Sequence, residues 1–345
     1  MAATVSQANS ERVVYVSDLQ GKRPGFFTKW ERLRHSRLHW LSECFAEAMG
    51  VFLYTYPGVG STAIYVIGNL MKESGLSSLF QIGLAYGGGI FFAVGLCAST
   101  SGGHLNPCIT IVHVLFKGFP PLKALRYIIA QILGGYIACL LIYAQYHHVL
   151  KTAEATVIAS VGEEGLAAIN FTPNGPAGIF AIYAQTGSNL GQVFMNEFVT
   201  DFFLALVIFG CLDPSNVLIP PPMALVTIAL AYASAVWGFA PVGLAANSAR
   251  DIAGRLAAMT IWGREAAGNP HYAAIAALTN IPATILACIV HELMFVDSDR
   301  VVPQAQREFY NVHALHRRRG PAAANGESST GDSDEKEYVD TIERV

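Results

Sequence analysis

The chain has 345 residues, of which 52% are hydrophobic and 14% are charged. Soluble domains carry about 25% charged residues, so this composition excludes an ordinary soluble protein. It indicates a protein that is embedded in the lipid bilayer. The formal net charge of −3 says little by itself, and we expect no nucleic-acid partner.

The N-terminal residues 1–37 are polar and charged, with no apolar core of a cleavable signal peptide. Uncharged stretches then recur at lengths that reach or exceed the roughly 20 residues of a membrane-spanning helix. A further apolar run, 191–211, is interrupted only by Glu197 and Asp201. These segments predict six spans, at 38–58, 79–99, 122–147, 190–211, 217–238 and 271–295.

Two apolar pieces, 104–116 and 247–262, are too short to cross a bilayer. Each follows a glycine-containing turn and has an asparagine at or near its start, in "SGGHLNPCITIVHVLF" and in "GLAANSARDIAGRLAAM". Because irregular backbone at membrane depth must line a cavity, we expect two re-entrant half-helices that begin near the bilayer centre.

The chain also repeats itself. "SECFAEAMGVFLY" in the first span is similar to "FMNEFVTDFFLAL" in the fourth, and each places a glutamate, Glu47 or Glu197, among apolar residues. With three spans per half, the second copy runs through the membrane upside down. We therefore predict a channel domain over 38–296, with inverted repeats at 38–147 and 190–296 that an extracellular loop, 148–189, connects.

The half-helix tips predict a lane for small neutral hydroxylic molecules. Asn106 and Asn247 stand at the two N-terminal ends, where helix dipoles place partial positive charge that repels cations. The amides of these residues are donors, and the carbonyls that precede them are acceptors without a helical partner. The expected pore-lining carbonyls are those of Gly102, Gly103, His104, Gly243, Leu244 and Ala245.

These motifs resemble those of the major intrinsic protein family, the aquaporins and aquaglyceroporins. "SGGHLNPC" resembles the signature SGxHxNPA, and "NSARD" resembles NPAR followed by the aspartate of glycerol facilitators. "GPAGIFAIY" at 175–183 resembles the external loop of the glycerol-conducting branch, which includes the fungal-type aquaglyceroporins. The resemblance implies an all-α membrane protein with the aquaporin fold, six transmembrane helices and two half-helices, assembled as a homotetramer.

The signatures depart from the family pattern at two positions. Pro107 and Ala249 match it, whereas Cys108 replaces the usual alanine and Ser248 replaces the usual proline. Proline suits the first position of a helix, so we expect Ser248→Pro to be tolerated. Both asparagine donors remain.

The resemblance also implies a selectivity constriction. Arg250 corresponds to the family's constriction arginine, which donates hydrogen bonds and repels cations. Tyr86, Leu244 and Ala235 follow by their offsets from the asparagines. Water-selective members place a histidine at the position of Ala235, so a methyl group there predicts a wider pore for a polyol.

Other polar residues are expected to support the loops. Glu47 and Glu197 are predicted to accept backbone N–H bonds from the half-helix loops rather than to relay protons. Asp251 marks the glycerol branch in the resemblance and is expected to pair with Arg255 or backbone amides. His104 is expected to brace its loop and to offer its carbonyl, rather than its ring, to the pore.

Charge sets the predicted orientation. The first 37 residues hold seven Lys/Arg against three Asp/Glu, so the positive-inside rule places both termini in the cytoplasm. Residues 297–345 are predicted to be a largely disordered acidic tail. This topology puts the possible glycosylation site at Asn170 outside the cell, and we expect the plasma membrane as the location.

Together these features predict a passive channel for glycerol, small polyols, other small neutral solutes and water that excludes ions and protons. A pore mainly for water or hydrogen peroxide is the alternative, and an alternating-access carrier is a remote one. The chain has no HExxH or GxSxG motif, so we expect no enzyme activity. The six cysteines form no CxxC pair, and we expect neither a metal nor a cofactor.

Overall fold

The computed structural model describes residues 14–325 except 15, 20, 22 and 74. Within this part of the chain all regular structure is helical. Short 3-10 turns lie in the connections, at Pro176–Ile179, Ala240–Val242 and Arg264–Ala267. The α-helices are α1 (Val16–Leu19), α2 (Gly25–Ser36), α3 (His39–Met71), α4 (Leu79–Ser101), α5 (Pro107–Phe116), α6 (Pro121–Asn170), α7 (Leu190–Leu212), α8 (Pro221–Phe239), α9 (Ser248–Trp262), α10 (Pro270–Leu278), α11 (Asn280–Met294) and α12 (Gln304–Asn325).

The helices pack as two equivalent halves. In the first half α3 packs against α4 and α6, and in the second α7 packs against α8 and α11. The helices α4 and α8 join the halves. The half-helices are exchanged between them, since α5 packs against α11 and α9 packs against α6. This arrangement confirms the predicted all-α inverted repeat with two re-entrant half-helices, α5 and α9.

Five of the six predicted spans correspond to helical segments that are long and apolar enough to cross a bilayer. By length and hydropathy, five helical segments of the described chain could cross a bilayer, namely Leu79–Ser101, Pro121–Asn170, Leu190–Leu212, Pro221–Val242 and Pro270–Met294. The sixth membrane helix is α3, which packs between α4 and α6 but carries Glu43 and Glu47 near its start. The last span is interrupted at Thr279, between α10 and α11.

Two helices are longer than the predicted spans. α3 continues through Pro57 to Met71, and α6 continues to Asn170 with one non-helical residue, Gly162, at φ 77°. The connection 148–189 is therefore helical over its first part, up to Asn170, rather than an irregular loop. The sequence over 151–170 is rich in alanine and glutamate, which are strong helix formers.

The C-terminal segment also differs from the expectation. The composition of residues 297–345 predicts disorder over most of the segment, but α12 occupies Gln304–Asn325. The buried Gln306 fixes this helix, because its Nε2 donates to the carbonyl of Asn216, in the α7–α8 connection, at 2.6 Å. The acidic residues 326–345 and the N-terminal residues 1–13 lie outside the described part of the chain.

Candidate functional site

The two asparagines cap the half-helices. The Oδ1 of Asn106 accepts a hydrogen bond from the Cys108 amide at 2.9 Å, at the start of α5. The Oδ1 of Asn247 accepts from the amides of Ala249 at 2.9 Å and Arg250 at 3.3 Å, at the start of α9. Side-chain caps of this kind satisfy amides that have no helical partner. The two tips are thus fixed by the same local chemistry.

Each asparagine also reaches the opposite tip. The Nδ2 of Asn247 donates to the Leu105 carbonyl at 2.8 Å, and the Nδ2 of Asn106 donates to the Ala246 carbonyl at 3.4 Å. Leu105 and Ala246 both adopt left-handed backbone, with φ of 50° and 58°. Such a φ is uncommon outside glycine, so each of the two turns has a defined backbone conformation. The sequence motifs did not single out either residue.

Glu47 holds the first loop. Its two carboxyl oxygens accept from the amides of His104 at 3.0 Å and Leu105 at 2.8 Å. The Ser101 hydroxyl and the Gln131 amide donate to the same carboxyl at 2.6 Å and 2.7 Å. The predicted loop-supporting contact is present, and Gln131 is a partner that the sequence did not indicate.

Glu197 makes the equivalent contact in the second half. It accepts from the amides of Ala245 and Ala246, each at 2.8 Å to its nearer oxygen. The neighbouring Asn196 donates to the carbonyl of Gly243 at 2.9 Å, so that one of the predicted pore-lining carbonyls has a protein partner. Two adjacent residues of α7 therefore set the path of the second loop.

The remaining predicted carbonyls are open to another donor. Within the described residues, none of them accepts a hydrogen bond from the protein. Gly102, Gly103 and Gly243 have φ of 91°, 69° and 108°, values that residues with a side chain rarely adopt. The unpaired carbonyls are those of Gly102, Gly103, His104, Leu244 and Ala245.

Arg250 is joined to two other elements. Its Nε and Nη2 donate to the hydroxyl of Tyr86, on α4, at 3.1 Å and 2.8 Å, and its Nη1 donates to the Phe180 carbonyl at 2.6 Å. A guanidinium has five N–H groups, so two remain after these three contacts. Only 5% of the residue surface is exposed. Arg250 and Tyr86 thus form one hydrogen-bonded polar unit in which two N–H groups of Arg250 have no protein acceptor among these contacts.

Two glycines make this unit possible. A Cβ at Gly58, on α3, would overlap the ring of Tyr86. A Cβ at Gly254, one turn after Arg250, would overlap the Phe180 carbonyl and lie 2.8 Å from Nη1 of Arg250. The absence of side chains at both positions lets the ring and the carbonyl approach the guanidinium.

Ala235 and Leu244 form the apolar part of the predicted constriction. They share one buried cluster with Leu204 and Ala231, in which Ala235 is 1% exposed and Leu244 is 8% exposed. Tyr86 borders a second cluster, and Tyr232 packs against both clusters. The structure therefore joins Arg250 to Tyr86 by hydrogen bonds and groups Ala235 with Leu244 in one buried cluster.

Asp251 faces away from this unit. Its Oδ1 accepts from Nη2 of Arg255 at 2.7 Å, the predicted local pair. Arg255 also donates to the carbonyls of Ile182 and Ala267, at 3.0 Å and 2.9 Å. Arg255 therefore ties the segments that contain Ile182 and Ala267 to α9.

His104 packs as a bracing residue. Its Nδ1 lies 3.1 Å from the hydroxyl of Thr110, and its ring contacts those of His113, Phe119 and Tyr127. Burial leaves 8% of the residue exposed. Asn170, the possible glycosylation site, is the last residue of α6 and is half-buried.

Comparison with known proteins settles the family. The family model "Major intrinsic protein" matches residues 34–267, more than half of the chain.

The chain belongs to the major intrinsic protein family. It is accordingly a multi-pass membrane channel of the aquaporin and aquaglyceroporin type, and not an enzyme.

Relatives within the family carry two kinds of name. "Aquaporin-3" of Laccaria bicolor is 56% identical over 309 residues, which cover 89% of this chain and 92% of that protein. The "Glycerol uptake facilitator protein" of Pseudomonas aeruginosa is 32% identical over 217 residues, 62% of this chain and 73% of that protein. The X-ray structure of the aquaglyceroporin from Plasmodium falciparum shares the fold, with a TM-score of 0.62 at 20% identity over 74% of this chain and 96% of that one.

In this major intrinsic protein the two departures from the signatures contact one residue. The Cys108 thiol and the Ser248 hydroxyl each lie 2.7 Å from the Oδ1 of Asn280, at the start of α11. Ser248 also donates to the Ala277 carbonyl at 2.7 Å. No sequence motif singled out Asn280, because it lies in an apolar span far from both signatures. The side chains of Cys108 and Ser248 are therefore buried, and both have hydrogen-bond partners.

Proposed function

We propose that this channel conducts glycerol, other small polyols and water, and excludes ions and protons. The observations that carry the proposal are the hydrogen-bonded unit of Arg250 and Tyr86 and the small apolar side chain that Ala235 supplies at its predicted constriction position. The unit presents unused N–H donors in a buried place, and the alanine presents only a methyl group. A polyol needs both, since its hydroxyls require hydrogen bonds and its carbons require apolar contact.

The donors match the oxygen atoms of a polyol. Arg250 retains two N–H groups, and the Tyr86 hydroxyl, which accepts from the guanidinium, keeps its own proton to donate. Each solute oxygen that leaves water must be paired, because an unpaired buried hydroxyl costs about 1–3 kcal/mol. The apolar wall of Leu244 and Ala235 would accommodate the carbon chain.

Two features support exclusion of cations. The α5 and α9 dipoles each place roughly half a positive charge at Asn106 and Asn247. Arg250 adds a full charge in a buried position, where electrostatic interactions are screened less than at the surface. A cation in the lane would meet positive charge at two levels.

The names of relatives support small neutral solutes as the class, but they do not agree on whether water or glycerol is the preferred solute. The bacterial relative is named a glycerol uptake facilitator, and relatives above 50% identity are named aquaporins. The second candidate is a channel mainly for water or hydrogen peroxide, and the name aquaporin supports only its water part. Permeability must therefore be measured for both solutes.

The proposal includes the molecular setting. We place both termini in the cytoplasm because of the excess of Lys/Arg in residues 1–37. We place the chain in the plasma membrane as a homotetramer with one pore in each protomer, as the family resemblance implies. The constriction residues are then Tyr86, Ala235, Leu244 and Arg250.

Stopped-flow light scattering on proteoliposomes tests the proposal. In one preparation, water and glycerol permeabilities are compared with those of empty vesicles from the same lipid. We expect both to rise, with glycerol flux linear in concentration. Water flux alone would favour the second candidate, saturating glycerol flux would favour a carrier, and neither flux would contradict the channel.

A further inference from the structure

A small cavity lies beside the half-helix tips, among α5, α7, α8 and α11. Its volume is about 10 Å³, which is room for about one water molecule. Part of its wall is apolar, including Ile208. The polar part of the wall consists of Asn106, Asp201, Tyr232, Asn280 and Thr284.

Asp201 is the unusual member of this wall. It is 3% exposed, and neither of its carboxyl oxygens has a hydrogen-bond partner among the described residues. The other acids near the tips, Glu47, Glu197 and Asp251, all accept hydrogen bonds from the protein. Burying a carboxyl without a donor is expensive. Asp201 therefore needs a donor that the protein does not supply.

The nearest charged neighbour on the same helix does not meet this need. Glu197 lies one turn earlier on α7, and the two acids can share a hydrogen bond only if one of them carries a proton. The oxygens of Glu197 already accept from the amides of Ala245 and Ala246. For an ionised Asp201 the donor must therefore come from the cavity side.

Asn280 has a donor that lacks a partner, whereas Asp201 has acceptors that lack one. Its Oδ1 accepts from Cys108 and Ser248, whereas its buried Nδ2 has no hydrogen-bond partner among the described residues. Thus the cavity is bordered by an unpaired acceptor on α7 and an unpaired donor on α11. A water molecule both donates and accepts, so one molecule can satisfy both groups.

We propose that Asp201 and Asn280 form a binding site for a single hydroxylic molecule, a water at this volume. The water donates to a carboxyl oxygen of Asp201 and accepts from the Nδ2 of Asn280. It lies beside Asn106 and connects α7 to Asn280, which in turn contacts both half-helix tips. The lining of this site includes none of the predicted constriction residues, Tyr86, Ala235, Leu244 and Arg250.

A structure at a resolution that shows ordered water tests the site directly. The full-length channel in nanodiscs is examined by electron cryo-microscopy as wild type, as Asp201→Leu and as Ile208→Leu. Asp201→Leu removes the acceptor at similar side-chain size. Ile208→Leu changes an apolar part of the same wall at equal volume, and it serves as the matched control.

We expect one density in wild type and in Ile208→Leu, within about 3.2 Å of an Asp201 oxygen and of Asn280 Nδ2. Asp201→Leu should lose it. An empty cavity in a wild-type map that resolves other waters, or a direct hydrogen bond from Asp201 to Glu197, would overturn the proposal. Persistence of the density in Asp201→Leu would overturn the role of Asp201. If Asp201→Leu does not fold, Asn280→Leu removes the donor and must also lose the density. A failed glycerol assay would leave this result unchanged.

Discussion

The thiol of Cys108 and the hydroxyl of Ser248 lie 3.5 Å apart, although 140 residues separate them in the chain. They are the two residues that depart from the family signatures, and they face one another where the half-helix tips meet. Both contact the Oδ1 of Asn280 at 2.7 Å. The departures therefore form one polar cluster, in which a change at either tip affects the other.

This cluster changes the prediction for Ser248→Pro. Proline at a first helical position would gain about 0.4–1 kcal/mol by restricting the unfolded chain. The substitution also removes the hydroxyl that contacts Asn280 and Ala277, and leaving buried polar groups unpaired costs about 1–3 kcal/mol. We therefore expect net destabilisation, seen as a lower melting temperature in detergent.

Ser248→Ala separates the two effects. It removes the hydroxyl without adding a ring, so it should be at least as destabilising as Ser248→Pro. A melting temperature for Ser248→Pro above that of wild type would show that the cluster contributes little.

A contact could be predicted from the sequence only where a motif marked its residues, and not where the two residues lie far apart along the chain. Asn106, Asn247, Glu47 and Glu197 could be assigned to loops because their motifs repeat within the chain. Asn280 could not, since 172 residues separate it from Cys108 and apolar sequence surrounds it. Only packing of α11 against α5 and α7 brings it to the tips.

The constriction shows the same limit. The second signature selected Arg250 and an offset from Asn106 selected Tyr86, and the structure joins the two residues by hydrogen bonds. The Phe180 carbonyl was missed because a backbone oxygen leaves no mark in a sequence, although Phe180 lies in the "GPAGIFAIY" segment. The long α6 was also missed, because its second part is too polar to be counted with the span.

The second prediction concerns Arg250→Ala. The substitution removes the charge and all the N–H donors of the constriction, so we expect a folded channel that leaks larger or charged solutes. Urea, methylammonium and proton fluxes are measured in proteoliposomes at matched protein amount. If all three equal those of wild type, Arg250 does not line the constriction.

The third prediction concerns Gly254→Ala. The added methyl group overlaps the Phe180 carbonyl, so this carbonyl should move away from Nη1 of Arg250. We expect a leak of the same kind as in Arg250→Ala but smaller, because the contacts to Tyr86 remain. Gly210→Ala on α7 is the control, since nothing outside its own helical turns lies within 4 Å of the place that the methyl group would take. Equal fluxes in the two alanine variants would contradict the role of Phe180.

The fourth prediction concerns Glu47→Gln. An amide nitrogen would replace an oxygen that accepts two donors, and each unpaired donor costs about 1–3 kcal/mol. We expect a lower melting temperature and a lower yield of folded protein. Glu43→Gln, on the same helix, removes the charge that pairs with Lys123 near the surface and should cost about 0–1 kcal/mol. Similar losses in the two variants would show that the loop does not depend on Glu47.

The central claim is that a methyl group at Ala235 leaves room for a polyol opposite Arg250. Ala235 is buried among Leu204, Ala231 and Leu244, so a larger side chain must either enter the lane or displace these neighbours. A histidine would fill the space that carbon atoms need and would offer water another hydrogen-bond partner. A leucine would add bulk without a donor, and Ala235→Leu should block both solutes.

The most direct measurement is the ratio of glycerol to water permeability, in stopped-flow light scattering, for wild type and Ala235→His at matched protein amount. We predict that the ratio falls in Ala235→His by about tenfold or more, the factor that about 1.4 kcal/mol of added barrier produces. An equal fractional loss of glycerol and water permeability would contradict the account, because it would place Ala235 outside the constriction.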